Sequence, residues 1–124
     1  MSLSNDSRIH ALLFGLSEDL AGDLLKPLSA LCSRIEEEQH QLAAIAGSDA
    51  QVIFCGANTE VVTKLRQTKP DASIVVVSRH PEVSCWLDSI EAGATDYCAA
   101  PFETAQVQWI LESSMRAAQV PVSA

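Results

Sequence analysis

The segment from Ile74 to Phe102 constrains the fold of this chain more than any other part of the sequence. It begins with a β-branched run that ends at Ser78, continues through apolar residues at helical spacing to a Gly93-Ala94 bend, and closes with a short apolar run before Pro101. Strand, helix and strand within about 30 residues indicate a βαβ unit. Because strands joined by a crossover helix run parallel, the segment predicts a parallel sheet.

The rest of the chain repeats this alternation. Apolar runs of strand length cover Ile9 to Leu16 and Gln51 to Cys55, and each is followed by residues at helical spacing. Ser17 and Asn58 are placed to cap those two helices. A last helix is predicted over Glu103 to Ala118. Strands alternating with helices indicate a sheet that is covered on both faces.

The predicted fold is therefore α/β: a single doubly wound, mainly parallel five-stranded sheet with helices on both faces. The domain is expected over residues 9–118, with a frayed N-terminus at 1–8 and a tail or the start of a linker at 119–124. Strand 2 is the uncertain element. Ser33 to Glu38 could continue the first helix or form a short edge strand before a helix at Gln39 to Ala46, so strand 2 is expected to be short or degenerate.

Apolar residues at helical spacing predict which side of each later helix faces the sheet. The helix that Asn58 caps carries Val61, Val62 and Leu65. The fourth helix, starting at Pro81-Glu82, is expected to bury Val83, Leu87 and Ile90, and the last one Val107, Ile110, Leu111 and Met115.

Charge and composition narrow the possible functions. Sixteen acids against eight bases give a formal charge of −8, which disfavours direct binding to nucleic acid or to a membrane surface. The apolar runs are too short to span a membrane and no leader-like segment precedes them, so a cytoplasmic protein is expected. Four cysteines, at positions 32, 55, 85 and 98, lack the close spacing of metal or redox motifs. They are expected to be buried thiols, and neither a metal nor a cofactor is predicted.

The βαβ segment resembles the C-terminal half of a response-regulator receiver domain. The similarity lies in a hydroxyl at the end of one strand, Ser78, the Gly93-Ala94 bend, an aromatic residue in the next strand, Tyr97, and the exit through Pro101-Phe102. The resemblance extends over most of the chain and is strongest from Val61 to Leu111. It implies a history in two-component phosphorelay signalling and a cis Ala100-Pro101 peptide bond.

The resemblance also implies where the phosphorylation chemistry of that family would lie. The acidic pair that holds magnesium corresponds to Gly15 and Leu16, the phosphoacceptor aspartate to Cys55-Gly56, and the conserved lysine of the family to Ala100. Phosphoryl transfer to an aspartate requires the carboxylate nucleophile, the metal and a cation for the phosphoryl oxygens. All three are missing, and Ser78 and Tyr97 are what remains of a switch.

These observations predict a degenerate receiver-like domain that is not an enzyme, is not phosphorylated and acts in protein interaction or dimerisation. One alternative is a functional receiver that uses displaced acids, Glu18, Asp19 or Asp49. Another is a small flavodoxin-like enzyme or ligand binder in which Cys55, at a strand end facing a helix N-terminus, is a nucleophile.

Two tryptophans indicate where a partner would bind. Trp109 lies opposite the apolar stripe of the last helix, and Trp86 lies at the edge of the stripe of the preceding helix. Tryptophan is enriched among interface hot spots. A partner protein or a second copy is therefore expected on the face formed by helix 4, strand 5 and helix 5, and an effector domain in a longer natural chain is a further partner.

Overall fold

A computed structural model of the chain describes residues 9–39, 41–79 and 83–119, and the side chains of all of these except 83–85 and 114–119. Strands and helices alternate along this part of the chain: β1 (His10–Phe14), α1 (Glu18–Leu31), β2 (Arg34–Glu38), α2 (Leu42–Ala46), β3 (Val52–Cys55), α3 (Thr59–Thr68), β4 (Ser73–Ser78), α4 (Val83–Ala92), β5 (Asp96–Ala99) and α5 (Thr104–Gln119).

The five strands form one parallel sheet in the order β2-β1-β3-β4-β5, which confirms the predicted fold class. The chain moves outward from β1 to β2 and then returns to the other side of β1 for β3. The strand order thus reverses between β1 and β3, and in doubly wound sheets ligands bind at the carboxyl edge near this point.

Two apolar layers cover the sheet. The layer containing Leu13, Phe54 and Val75 packs against α1 and α5, and the layer containing Ile53 and Val76 packs against α2 and α3. The alternation follows from the strand geometry, because successive side chains point to opposite faces. Both faces are covered by helices, which explains why β1, β3 and β4 are almost entirely apolar.

Both predicted helix caps are present. The Ser17 hydroxyl accepts a hydrogen bond from the Leu20 backbone N–H at 3.3 Å. The Asn58 side chain accepts from the backbone N–H groups of Glu60 and Val61, at 3.0 and 3.2 Å. Each side chain satisfies donors that the first turn of a helix leaves unpaired, so these caps fix where α1 and α3 begin.

The ambiguity at residues 32–50 resolves as an edge strand followed by a short helix. Strand β2 pairs with β1 from His10 opposite Arg34 to Phe14 opposite Glu38. Across this pair the His10 imidazole lies 2.9 Å from the Glu36 carboxylate. The acidic residues of β2 also blunt the exposed edge against pairing with another strand.

The prediction that Leu87 and Ile90 face the sheet is wrong, because these side chains are 51% and 39% exposed. Among the described side chains of α4 the buried one is Ser89, two residues after Leu87 and therefore about 200° around the helix from it. Near its C-terminal end, α4 packs on the second layer through Ala92. Ser89 and Ala92 on the inner side of α4 thus leave Trp86, Leu87 and Ile90 outside, in contrast to α5, where Val107, Ile110 and Leu111 are buried as predicted.

Arg66 explains why α4 keeps this orientation. Its guanidinium donates hydrogen bonds to the carbonyls of Pro70, Ala72 and Gly93 and to the Thr95 hydroxyl, at 2.7–3.2 Å. Gly93, with a positive φ of 120°, ends α4, and a Cβ at this position would lie 3.1 Å from the Arg66 side chain. The C-terminal end of α4 is therefore held against α3 and the start of β4.

Several predictions lie outside the described residues. They concern the start of α4 at Pro81-Glu82 and the side chains of Val83, Cys85 and Met115. No helix along the described part of the chain is long and apolar enough to cross a membrane.

Candidate functional site

The carboxyl edge of the sheet brings the predicted site positions together. Phe14 lies opposite Cys55 and Cys55 opposite Val76, so the tips of β1, β3 and β4 meet at one edge. Ser78 lies opposite Ala99 at the tip of β5. The residues that the resemblance assigned to phosphorylation chemistry follow these tips: Gly15, Leu16, Gly56 and Ala100.

The tip of β1 is built for packing and for a sharp turn. Gly15 has a φ of 66°, in the left-handed region that favours glycine, and its N–H donates to the Glu38 carbonyl at 2.8 Å. Leu16 is 3% exposed and lies in the layer with α1 and α5. A carboxylate in place of Leu16 would be surrounded by apolar groups, so neither position provides a metal ligand.

The tip of β3 holds a buried thiol. Cys55 lies within the layer that packs against α2 and α3, and burial raises the pKa of its thiol to about 12. At neutral pH the group is protonated, whereas nucleophilic attack requires the thiolate. Next to it, a Cβ at Gly56 would meet no atom within 4 Å, so this position offers open space but no functional group. This geometry does not favour the alternative in which Cys55 is a nucleophile.

The displaced acids do not form a metal centre. Glu18 and Asp19 are exposed in the first turn of α1, where carboxylates interact favourably with the positive end of the helix dipole. Asp49 is exposed in the loop between α2 and β3. Among the described residues, no group of three or more His, Cys, Asp or Glu side chains could hold a metal ion.

The tips of β4 and β5 retain the shape that the resemblance implies. The Ala100-Pro101 peptide bond is cis, as predicted, and the Ala100 N–H donates to the Ser78 carbonyl at 2.8 Å. Tyr97 is half-buried and packs against the layer that contains Cys55. Its hydroxyl is buried and has no hydrogen-bond partner within the described part of the chain. This region thus has the cis peptide bond that the resemblance implies, while Ala100 supplies no cation.

An ion pair that no sequence pattern predicts lies at the same edge. Arg79, directly after β4, donates to the Asp23 carboxylate of α1 at 2.8 Å. The two residues are 56 positions apart in the sequence, so no local pattern could have revealed the contact. The pair connects the segment after β4 to α1, and the cation it contains is already matched to a carboxylate.

The outer surfaces of α4 and α5 expose large apolar side chains, unlike the carboxyl edge of the sheet, where Leu16 and Cys55 are buried. Trp86 and Trp109 are 45% and 63% exposed, as expected from their positions on the two helices. Leu87 and Ile90, whose spacing predicts an inward orientation, add two further large exposed apolar side chains. On α4, Trp86, Ile90 and Leu87 occupy successive positions around the helix, so they form one exposed apolar stripe.

Comparisons with known proteins support the fold. No family model matches the sequence. The chain is 33% identical over 66 residues to the photosynthetic apparatus regulatory protein RegA of Rhodovulum sulfidophilum, a match that covers 53% of this chain and 36% of RegA. The chain thus spans about a third of the curated relative that it matches.

Solved structures with the same fold include receiver domains. A two-component response regulator from Clostridium difficile superposes with a TM-score of 0.75 at 15% identity, covering 91% of this chain and all of that one. The beryllofluoride-activated NtrC4 receiver domain, solved as a dimer, gives 0.75 at 14% identity, covering 89% and 98%. Together with the strand order and the helices on both faces, these similarities show that the chain has the CheY-like α/β fold of receiver domains.

Proposed function

We propose that this chain is a receiver-like signalling domain of the two-component type that is not phosphorylated and acts by binding another protein. The proposal includes a location in the cytoplasm and the absence of enzymatic activity. It also includes a position within a longer protein, since the similar RegA extends well beyond the matched region. An effector domain in the same chain is then one partner.

The residues at the carboxyl edge of the sheet are the main support for this proposal. The receiver fold is present, and the resemblance assigns the acidic pair to Gly15 and Leu16, the phosphoacceptor to Cys55-Gly56 and the lysine to Ala100. Leu16 and Cys55 are buried in the apolar layers. Their burial supports the proposal, because phosphoryl transfer at these positions would need carboxylates in contact with solvent, metal and phosphate.

Incubation with acetyl phosphate and Mg²⁺, followed by intact-mass spectrometry, tests this part of the proposal. We expect no phosphoryl adduct. An adduct on the wild type that disappears in a Glu18→Gln/Asp19→Asn variant, or in Asp49→Asn, would establish the alternative of a receiver with displaced acids. Thiol labelling at neutral pH tests the remaining alternative, and we expect native Cys55 to be unreactive.

The partner is proposed to bind the surface of α4, β5 and α5, where Trp86 and Trp109 are exposed. Large exposed apolar side chains on a monomeric domain are typical of interaction sites. The occupant is either another protein or a second copy. The solution mass of the wild type and of a Trp109→Ala variant distinguishes these occupants, because a homodimer that involves Trp109 would dissociate in the variant.

A further inference from the structure

The exposed stripe of α4 is a compact apolar surface. Trp86, Ile90 and Leu87 lie at about 0°, 40° and 100° around the helix axis, each more than a third exposed. The buried Ser89 lies at about 300°, outside the arc that these three side chains span. The three large side chains therefore project together from α4 on one turn and a half of helix. Such a stripe matches the apolar side of another helix in width and length.

The stripe is a fixed feature of the fold. Ser89 is 1% exposed, and Arg66 holds the C-terminal end of α4 through two hydrogen bonds to the Gly93 carbonyl, at 3.0 and 2.9 Å. Rotating α4 to bury Leu87 would expose Ser89 and displace the carbonyl that Arg66 binds. The apolar stripe is thus presented without any need for an activating event.

Charge determines what this stripe can bind. No lysine or arginine occurs from residue 80 to residue 115, whereas six acids do: Glu82, Asp88, Glu91, Asp96, Glu103 and Glu112. On α4 itself, Glu91 lies at about 140° and Asp88 at about 200°, so both follow the apolar stripe on the same side, and both are exposed. The stripe therefore has an acidic border, and the Arg66 guanidinium at the C-terminal end of α4 is occupied by the carbonyls of Pro70, Ala72 and Gly93.

This border disfavours a second copy as the occupant. In a twofold interface the same patch is used by both subunits, so Asp88 and Glu91 of one chain would face an equally acidic surface. Like charges at an interface oppose association, and the chain offers no base between residues 80 and 115 to neutralise them. A partner with an apolar stripe bordered by Lys or Arg would cover the apolar side chains of α4 and neutralise Asp88 and Glu91.

We propose that the α4 stripe binds a basic amphipathic helix of another protein, with its apolar residues on Trp86, Leu87 and Ile90 and its cations on Asp88 and Glu91. This inference rests on the proposed function, which assigns the same surface to partner binding, and it specifies the chemistry of the partner. The helix would lie along α4, as amphipathic helices do in apolar grooves and on apolar helix surfaces.

Synthetic peptides of about 18 residues, roughly five helical turns, provide the probe. The first has a Leu/Lys amphipathic pattern, the second the same pattern with Glu in place of Lys, and the third the Leu/Lys composition in a permuted order. A Trp109→Phe background leaves Trp86 as the single tryptophan, so its emission reports on α4. We expect the Leu/Lys helix to shift the emission to shorter wavelength, and the other two peptides to leave it unchanged.

Variants separate specific binding from general attraction to an acidic protein. Leu87→Ser/Ile90→Ser should weaken binding of the Leu/Lys peptide at least about tenfold, because it removes most of the apolar contact. Asp88→Asn/Glu91→Gln should weaken it several-fold, and by less at high salt. The matched control Glu37→Gln/Asp49→Asn removes two acidic charges elsewhere and should leave the affinity unchanged.

Three outcomes would overturn the inference. Either the permuted peptide binds as well as the amphipathic one, or the control variant loses as much affinity as Asp88→Asn/Glu91→Gln, or sedimentation shows a dimer that Leu87→Ser/Ile90→Ser dissociates. The last outcome would identify a second copy as the occupant. None of them bears on phosphorylation, so failure here is distinguishable from failure of the phosphorylation part of the proposed function, which the acetyl phosphate experiment tests.

Discussion

Leu16 at the carboxyl edge of the sheet and Leu87 on α4 have opposite environments. Leu16 is 3% exposed and Leu87 is 51% exposed. The resemblance to receiver domains places a metal-binding acid at the first position, and helical periodicity places a core residue at the second. The edge thus has apolar packing at Leu16, while α4 presents apolar groups to solvent. We therefore place the function of this chain on the helix surface.

Substituting alanine for each of these two leucines tests whether Leu16 is part of the core and Leu87 is not, and this test has the largest expected effect. Leu16→Ala should lower the free energy of unfolding by about 2–5 kcal/mol, because it removes buried methyl groups and leaves a cavity. Leu87→Ala should change it by less than about 0.5 kcal/mol, as is usual for surface substitutions. Urea unfolding of both variants gives the two values. Equal losses would show that Leu87 is part of the core.

Arg66 provides the next test, because it holds α4 in the orientation that leaves Leu87 exposed. Arg66→Met should lower the free energy of unfolding by about 2–3 kcal/mol, because the buried carbonyls that the guanidinium binds lose a charged donor. Amide hydrogen exchange at residues 89–94 should accelerate. Lys64→Met on the exposed side of the same helix is the control and should have little effect. Unchanged exchange in Arg66→Met would show that α4 is held by other contacts.

The buried thiol at the carboxyl edge predicts a pH dependence. The pKa of Cys55 is raised to about 12, above its ordinary value of 9.0, so between these values the thiol ionises in the unfolded chain but stays protonated in the folded one. The stabilisation is complete below pH 9 and is lost as the pH rises toward 12, by at most about 1.4 kcal/mol per pH unit.

Cys55→Ala lacks this contribution, so its free energy of unfolding should fall less steeply above pH 9 than that of the wild type. Urea unfolding at a series of pH values gives the two slopes. Cys32 and Cys98 also have pKa values raised to about 11, but they are present in both proteins and cancel in the comparison. Identical slopes would mean that Cys55 reaches solvent.

Tyr97 provides the smallest expected effect. Its hydroxyl is buried without a partner among the described residues, and a buried hydroxyl that makes no hydrogen bond is destabilising. Tyr97→Phe should therefore leave the free energy of unfolding unchanged or raise it by about 1 kcal/mol. Thermal unfolding detects the difference. A clear loss of stability would show that the hydroxyl forms a bond on which the edge depends.

Much of the fold is predictable from local chemistry. The apolar runs of β1, β3 and β4 identify the buried strands, and the Ser17 and Asn58 caps identify two helix starts. Strand β2 is less predictable, because its acidic sequence is stabilised by pairing with β1 and lacks a strong pattern of its own.

The orientation of α4 could not be predicted, since an apolar stripe at helical spacing fits a sheet-facing side and an exposed binding surface equally well. What decides between them is the long-range contact of Arg66 with Gly93, 27 residues away. The Arg79–Asp23 pair is equally non-local. The sequence itself shows no carboxylate at positions 15, 16, 55 and 56 and no lysine at position 100, but the burial of Leu16 and Cys55 is visible only in the structure.

We propose that the carboxyl edge of the sheet does not bind a phosphoryl group with Mg²⁺. Titration with beryllofluoride and Mg²⁺, followed by two-dimensional NMR of the backbone amides, tests it directly, because the complex mimics a phosphoryl group without requiring a stable covalent bond. The account predicts no saturable shift at residues 15, 16, 55, 56 and 78. A saturable, Mg²⁺-dependent shift at these amides, transmitted to Tyr97 and α4, would contradict it.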